Sequence, residues 1–108
     1  MPSYMIIETK EVFDPQKYGE YIRQVSPMVE GFGGRYLARG GNIAHIIGDW
    51  HPNRMVIIEF PTRAQFDTWF YSPQYAAIKH LREEGAKTNA ILVEGIGDAP
   101  DPTPAVNP

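Results

Sequence analysis

The chain has no cysteine, which excludes a disulfide framework, a thiolate metal site, and any thiol nucleophile or redox switch. A basic surplus is missing too: ten Lys and Arg stand against thirteen Asp and Glu, a formal charge of −3. Nucleic acids and anionic membrane surfaces need a net basic face, so neither is expected as a partner. Apolar runs reach only a few residues, far short of the roughly twenty that span a bilayer. The opening Met1-Pro2-Ser3-Tyr4 has no basic segment followed by an apolar one, and a soluble, cytoplasmic protein is the expectation. The three histidines lack the close helical spacing of a zinc motif, and no strand-to-helix glycine loop is present to cradle a phosphate.

The 108 residues suffice for one domain and one core. Residues 98–108 hold four of the ten prolines and almost no large apolar side chain. They bury too little to offset their ordering entropy, so the expected domain is 1–97 with a flexible tail after it. Within the domain, Tyr4–Thr9 reads as a strand. Asp14-Pro15 opens a helix with the stripe Tyr18, Tyr21, Ile22, Val25 and Val29, which Pro27 should weaken or end and Gly31, Gly33 and Gly34 should stop. Arg35–Arg39 and Asn42–Ile47 read as short strands joined by a tight turn at Gly40-Gly41, followed by a loop over Gly48–Asn53. Met55–Phe60 is the most strand-like stretch. Thr62 caps a second helical region through Phe66, Trp69 and Phe70, interrupted at Ser72-Pro73 and resumed through Tyr75, Ile78 and Leu81 to Gly85. Ala90–Ile96 is the last strand. The order predicts an α+β, ferredoxin-like βαββαβ fold with helices on one face of an antiparallel sheet. Met5-Ile6-Ile7, Val56-Ile57-Ile58 and Ile91-Leu92-Val93 are apolar on both faces. The second face therefore needs a cover, and a second copy of the chain is the simplest one, packing sheet to sheet as a homodimer.

Gly33-Gly34-Arg35-Tyr36-Leu37-Ala38-Arg39-Gly40-Gly41, Gly48-Asp49-Trp50, Arg54 before Ile57-Ile58-Glu59-Phe60-Pro61, and Trp69 with Ser72-Pro73-Gln74-Tyr75 and Arg82 together resemble the DUF1330 family. That resemblance covers nearly the whole folded part and implies the dimeric α+β barrel superfamily. Its members include cofactor-independent monooxygenases, muconolactone-type isomerases, haem-degrading enzymes and chlorite dismutases, and kinship of fold does not choose among them. Phe70 stands where the family commonly has tyrosine, and Gln74 where it commonly has glutamate. A proton transfer made by either group in a relative would be missing here.

The candidate site residues follow from side-chain chemistry. Arg39, Arg54 and Arg82 can hold a carboxylate or enolate through paired hydrogen bonds, or can be structural partners of Glu8, Glu59 and Glu94. Tyr18, Tyr21, Tyr36, Trp50, Trp69 and Tyr75 can line a flat apolar pocket, or simply be core. His45 falls beside Ile43 and Ile47 by alternation and is the candidate catalytic proton acceptor; a hydrogen-bonded core histidine is the plainer reading. His51 lies in a polar turn, and His80 as a haem ligand lacks any second haem signal. No cofactor and no metal are expected. The leading expectation is a cofactor-independent enzyme, oxygenating or isomerising a small oxygenated or aromatic acid. The alternative is a non-catalytic small-molecule-binding or dimeric interaction module.

Overall fold

Strand β1 (Ser3–Val12) is central, pairing antiparallel with both β3 (Arg54–Phe60) and β4 (Ala86–Glu94), and β2 (Arg35–Arg39) flanks β3 to give the order β2-β3-β1-β4. The structure is a computed structural model describing residues 1–97. The Pro-rich tail expected over 98–108 lies outside the described residues. Helix α1 (Pro15–Gly31) connects β1 to β2, while α2 (Arg63–Phe70), α3 (Pro73–Ala76) and α4 (Lys79–Gly85) connect β3 to β4. This is the ferredoxin-like arrangement read from the sequence.

The helix ends are set by local chemistry. Asp14 accepts hydrogen bonds from the amides of Gln16 and Lys17 at 3.1 and 3.2 Å, and Pro15 at the first position has no amide to satisfy. Thr62 caps α2 through the Gln65 amide at 3.1 Å, and Ser72 caps α3 through the Tyr75 amide at 3.0 Å. Helix α1 stops where Gly33 takes φ +93° and the Gly34 amide donates back to the Val29 carbonyl at 2.9 Å. Pro27, expected to weaken or end this helix, sits inside it. The residue is exposed, as is Arg23 one turn earlier, so water can reach the carbonyl that loses its amide partner.

A larger correction concerns Asn42–Ile47, expected as a strand paired with β2 across Gly40-Gly41. Residues 40–53 form instead one long exposed loop, and the partner of β2 is β3. Gly40 at φ +66° turns the chain out of the sheet after its amide bonds the Met55 carbonyl at 3.0 Å. Met55–Phe60, apolar on both faces, takes the place beside β2 and pairs on its other side with β1. Strands β1 and β4 also reach further toward each other than expected. They pair from Ser3–Glu94 to Val12–Ala86, with an irregularity between Thr9 and Glu11.

The two sheet faces differ. Met5, Val56, Ile58 and Phe60 point to the helices and pack with Val25 and Val29 of α1, Phe66 and Trp69 of α2, and Tyr75 of α3. On the other face Ile6 is in register with both Ile57 and Ile91, and Tyr4 with Val93. Among the described residues no helix covers that face, and Ile91 is 62% exposed.

Candidate functional site

A cavity of about 90 Å³ lies between the helices and the inner sheet face, and all four strands and all four helices contribute to it. A single water needs roughly 10–15 Å³ measured this way, so there is room for about six, or for one small ligand. Most of the wall is apolar, built from Met5, Ile7, Val25, Val56, Ile58 and Phe70.

The polar part is assembled by backbone geometry. Tyr36 and Arg39 are three residues apart and would face opposite sides of a regular strand. The bulge between Tyr36 and Ala38 puts both on the inner face, opposite Ile58 and Val56 respectively. Arg39 then stacks its guanidinium 4.5 Å from the Tyr36 ring centre. Arg54 joins them by simple alternation with Val56 and Ile58, and Gly40 leaves room for it, because an added Cβ there would collide with the Arg54 guanidinium. From the helix side, Tyr18 and Tyr21 stack at 6.1 Å between ring centres. Tyr18 shares a 2.7 Å hydrogen bond with Thr9, and Tyr21 a 2.8 Å one with Tyr75. Arg82 donates from Nε to the Tyr75 oxygen at 3.2 Å and from Nη1 to Thr88 at 3.4 Å.

Charge is unbalanced here. Arg39, Arg54 and Arg82 all line the cavity, and among the described residues no Asp, Glu or His does. The ion-pair alternative for these arginines is not what forms. Among the described residues, none of the ion pairs includes them, and Glu59 is bonded instead to Arg35 at 2.8 Å. Arg54 Nε and Trp69 Nε1 are buried without a hydrogen-bond partner among the described residues. Burial, then the neighbouring Tyr75 hydroxyl, pushes the Tyr21 phenol far above its usual range. Burial also raises Tyr36, against the opposing pull of Arg39. Both phenols therefore stay protonated at neutral pH and act as hydrogen-bond donors.

The site so formed brings together Tyr18, Arg39, Arg54, Trp69, Tyr75 and Arg82 and leaves out His45 and Trp50. His45 was expected to face the interior from a strand. With no strand there, it sits exposed in the 40–53 loop, its ring stacked on His51 at 4.4 Å and its Nε2 bonded to the Gly48 carbonyl. Trp50 is 59% exposed and borders a shallow depression on the outer sheet face with Ile6, Glu8 and Ile91. His80 is exposed on α4. Thr9 and Thr88 were not singled out by sequence pattern. Their role depends on lying side by side in the β1–β4 register, for which the linear sequence has no signal.

A family profile described as "Domain of unknown function (DUF1330)" matches residues 2–96. The chain belongs to the DUF1330 family. Phe70 lines the cavity of this DUF1330 protein without a hydroxyl, and Gln74 is exposed. No curated protein matches the chain. Among solved structures, it is similar to a protein of unknown function from Rhodopseudomonas palustris, 22% identical over 88% of this chain and 82% of that one, TM-score 0.71. It is similar also to a dimeric ferredoxin-like protein of unknown function from Thermobifida fusca, 15% identical over 85% and 89%, TM-score 0.59. A third is SnoaB, a cofactor-independent oxygenase from Streptomyces nogalater, 12% identical over 93% and 97%, TM-score 0.60. At these identities the likeness is one of fold. In the DUF1330 chain no helix among the described residues is long and apolar enough to cross a membrane.

Proposed function

We propose that this protein binds a small organic acid in the inner cavity and turns it over without a cofactor, by stabilising its enolate or carbanion form. The observation that carries the reading is the set of guanidinium groups, Arg39, Arg54 and Arg82, facing a mostly apolar cavity with no carboxylate to pair with among the described residues. An unpaired cation beside apolar walls is costly, and a bound anion relieves that cost through charge-assisted hydrogen bonds. The same positive field lowers the energy of negative charge developing on a bound acid. Such an anion is the species common to isomerisation and to cofactor-free reaction with oxygen. A small acid as ligand, in a chain without cysteine, is compatible with a cytoplasmic protein.

Homodimerisation through the outer sheet face is part of the proposal. Its support is the uncovered apolar row around Ile6, Ile57 and Ile91, the exposed Ile46 and Ile47 of the long loop, and the dimeric description of a similar structure.

One observation favours a second reading, a binding module without catalysis. The lining residues include no carboxylate or imidazole to serve as an ordinary general base. Native mass spectrometry of the gently purified protein tests the dimer and any retained acid together, and oxygen uptake with the retained acid separates the readings. A dimer with an acid and uptake or isomer formation supports the enzyme. Binding without turnover selects the module, and a dimer whose Arg54→Met variant retains the same acid equally well removes the site.

A further inference from the structure

We infer that the ligand of this cavity is a small organic anion with a second hydrogen-bond acceptor, either a 2-oxo acid or a short dicarboxylate. This rests on the reading of the cavity as an acid-binding site and adds the class of acid.

The reason is a count of donors against acceptors. A guanidinium has five N–H donors and an indole one, neither group has an acceptor, and each hydroxyl has a single proton. The Arg54 Nε–H and the Trp69 indole N–H are buried with no partner among the described residues. Tyr21 and Tyr75 own two hydroxyl protons and share one hydrogen bond, while Arg82 already donates to the Tyr75 oxygen. Whichever phenol donates in the shared bond, the other proton has no acceptor among the described residues. The Tyr18–Thr9 pair leaves a spare proton in the same way. The cavity therefore offers several donors that lack an acceptor among the described residues, three of its charged groups being cations.

The donors are also spread out. Thr9 is in register with Arg54 on one side and with Thr88 on the other, so these three form a row across β3, β1 and β4. Arg82 bonds Thr88 at the far end. At the usual strand spacing, Arg54 and Thr88 stand about 10 Å apart between backbones. One carboxylate answers one end of this row, whereas an anion with a second oxygen group reaches toward both. Size sets the upper limit: a dry cavity of roughly 150 Å³ is what holds a benzene ring, and this one is about 90 Å³. An aromatic acid is thus the poorer fit of the two classes raised by the sequence.

Isothermal titration of the full chain with malonate and pyruvate, against propionate, alanine and benzoate, tests this. Malonate or pyruvate should bind at least about tenfold tighter than propionate, the usual worth of one further hydrogen bond to a charged donor. Alanine, whose ammonium meets the like charge of Arg39, Arg54 and Arg82, should bind more weakly than propionate. Arg82→Met should bring malonate down to the affinity of propionate. Propionate or benzoate binding as tightly as malonate overturns the class while the acid site stands. If no acid binds a chain that circular dichroism shows to be folded, the acid site itself is overturned.

Discussion

At the scale of single residues, the inner arginines behave unlike ordinary structural cations. Removing a residue normally removes something it stabilised, but among the described residues Arg54 has no carboxylate partner and its Nε is buried unsatisfied. Arg54→Met should therefore leave stability unchanged or raise it by about 1 kcal/mol, measured by urea unfolding, because an unmet donor disappears and an apolar stem remains. A loss of 3 kcal/mol would show that Arg54 is structural. Tyr21→Phe makes the opposite case, since its hydroxyl is bonded to Tyr75 at 2.8 Å in a buried setting. That variant should lose about 1 kcal/mol. Tyr21 also gives a pH dependence. Its phenol is raised in the folded chain relative to the ordinary value of 10.0, so the stability linked to its neutral form is complete below pH 10 and falls as pH rises above it. Thermal unfolding midpoints should drop between pH 10 and 11, and less so in Tyr21→Phe.

Among the elements, what positions the site is how closely the chain segments approach one another. Gly85 ends α4 against the start of α1, where an added Cβ would lie 2.8 Å from the Tyr18 amide nitrogen. The Gly85 carbonyl accepts from the Phe13 and Asp14 amides at 2.7 and 3.0 Å. Gly85→Ala should cost about 1–3 kcal/mol, because backbone rather than a flexible side chain must move. It should also weaken acid binding by displacing Tyr18. A thermal midpoint matching the unmodified chain would count against this packing. The elements show where sequence patterns hold and where they fail. The stripe Tyr18, Tyr21, Val25 and Val29 is buried as its spacing predicts, because a helix turns its residues to faces by a fixed period. Asn42–Ile47 does not form a strand, because strand formation depends on tertiary pairing and not on local pattern alone, and Met55–Phe60 pairs with β2 instead.

At the scale of the whole molecule, the described residues leave one sheet face apolar and open, and the proposed homodimer rests on that face. Ile91→Glu puts a charge in the middle of that face, beside Ile6 across the β1–β4 register. It should turn the dimer into a monomer at micromolar concentration, read by light scattering during gel filtration, with the circular dichroism spectrum retained. An unmodified chain that is already monomeric would remove the sheet-to-sheet pairing altogether.

The sequence by itself determined the element order apart from Asn42–Ile47, the helix caps at Asp14 and Thr62, the apolar character of both sheet faces and the family. These properties depend on residue type and short-range spacing, which the linear chain carries in full. Most of the site's residues could also be named from it, as side chains able to hold an anion or line a pocket. Tertiary structure alone decided which of them meet. A bulge at Tyr36–Ala38 turned Arg39 inward, strand register lined up Arg54, Thr9 and Thr88, and the loop over residues 40–53 carried His45 and Trp50 away from the cavity. It also decided that the inner arginines go without carboxylate partners among the described residues, since pairing depends on distances between strands and helices that no spacing in the sequence specifies.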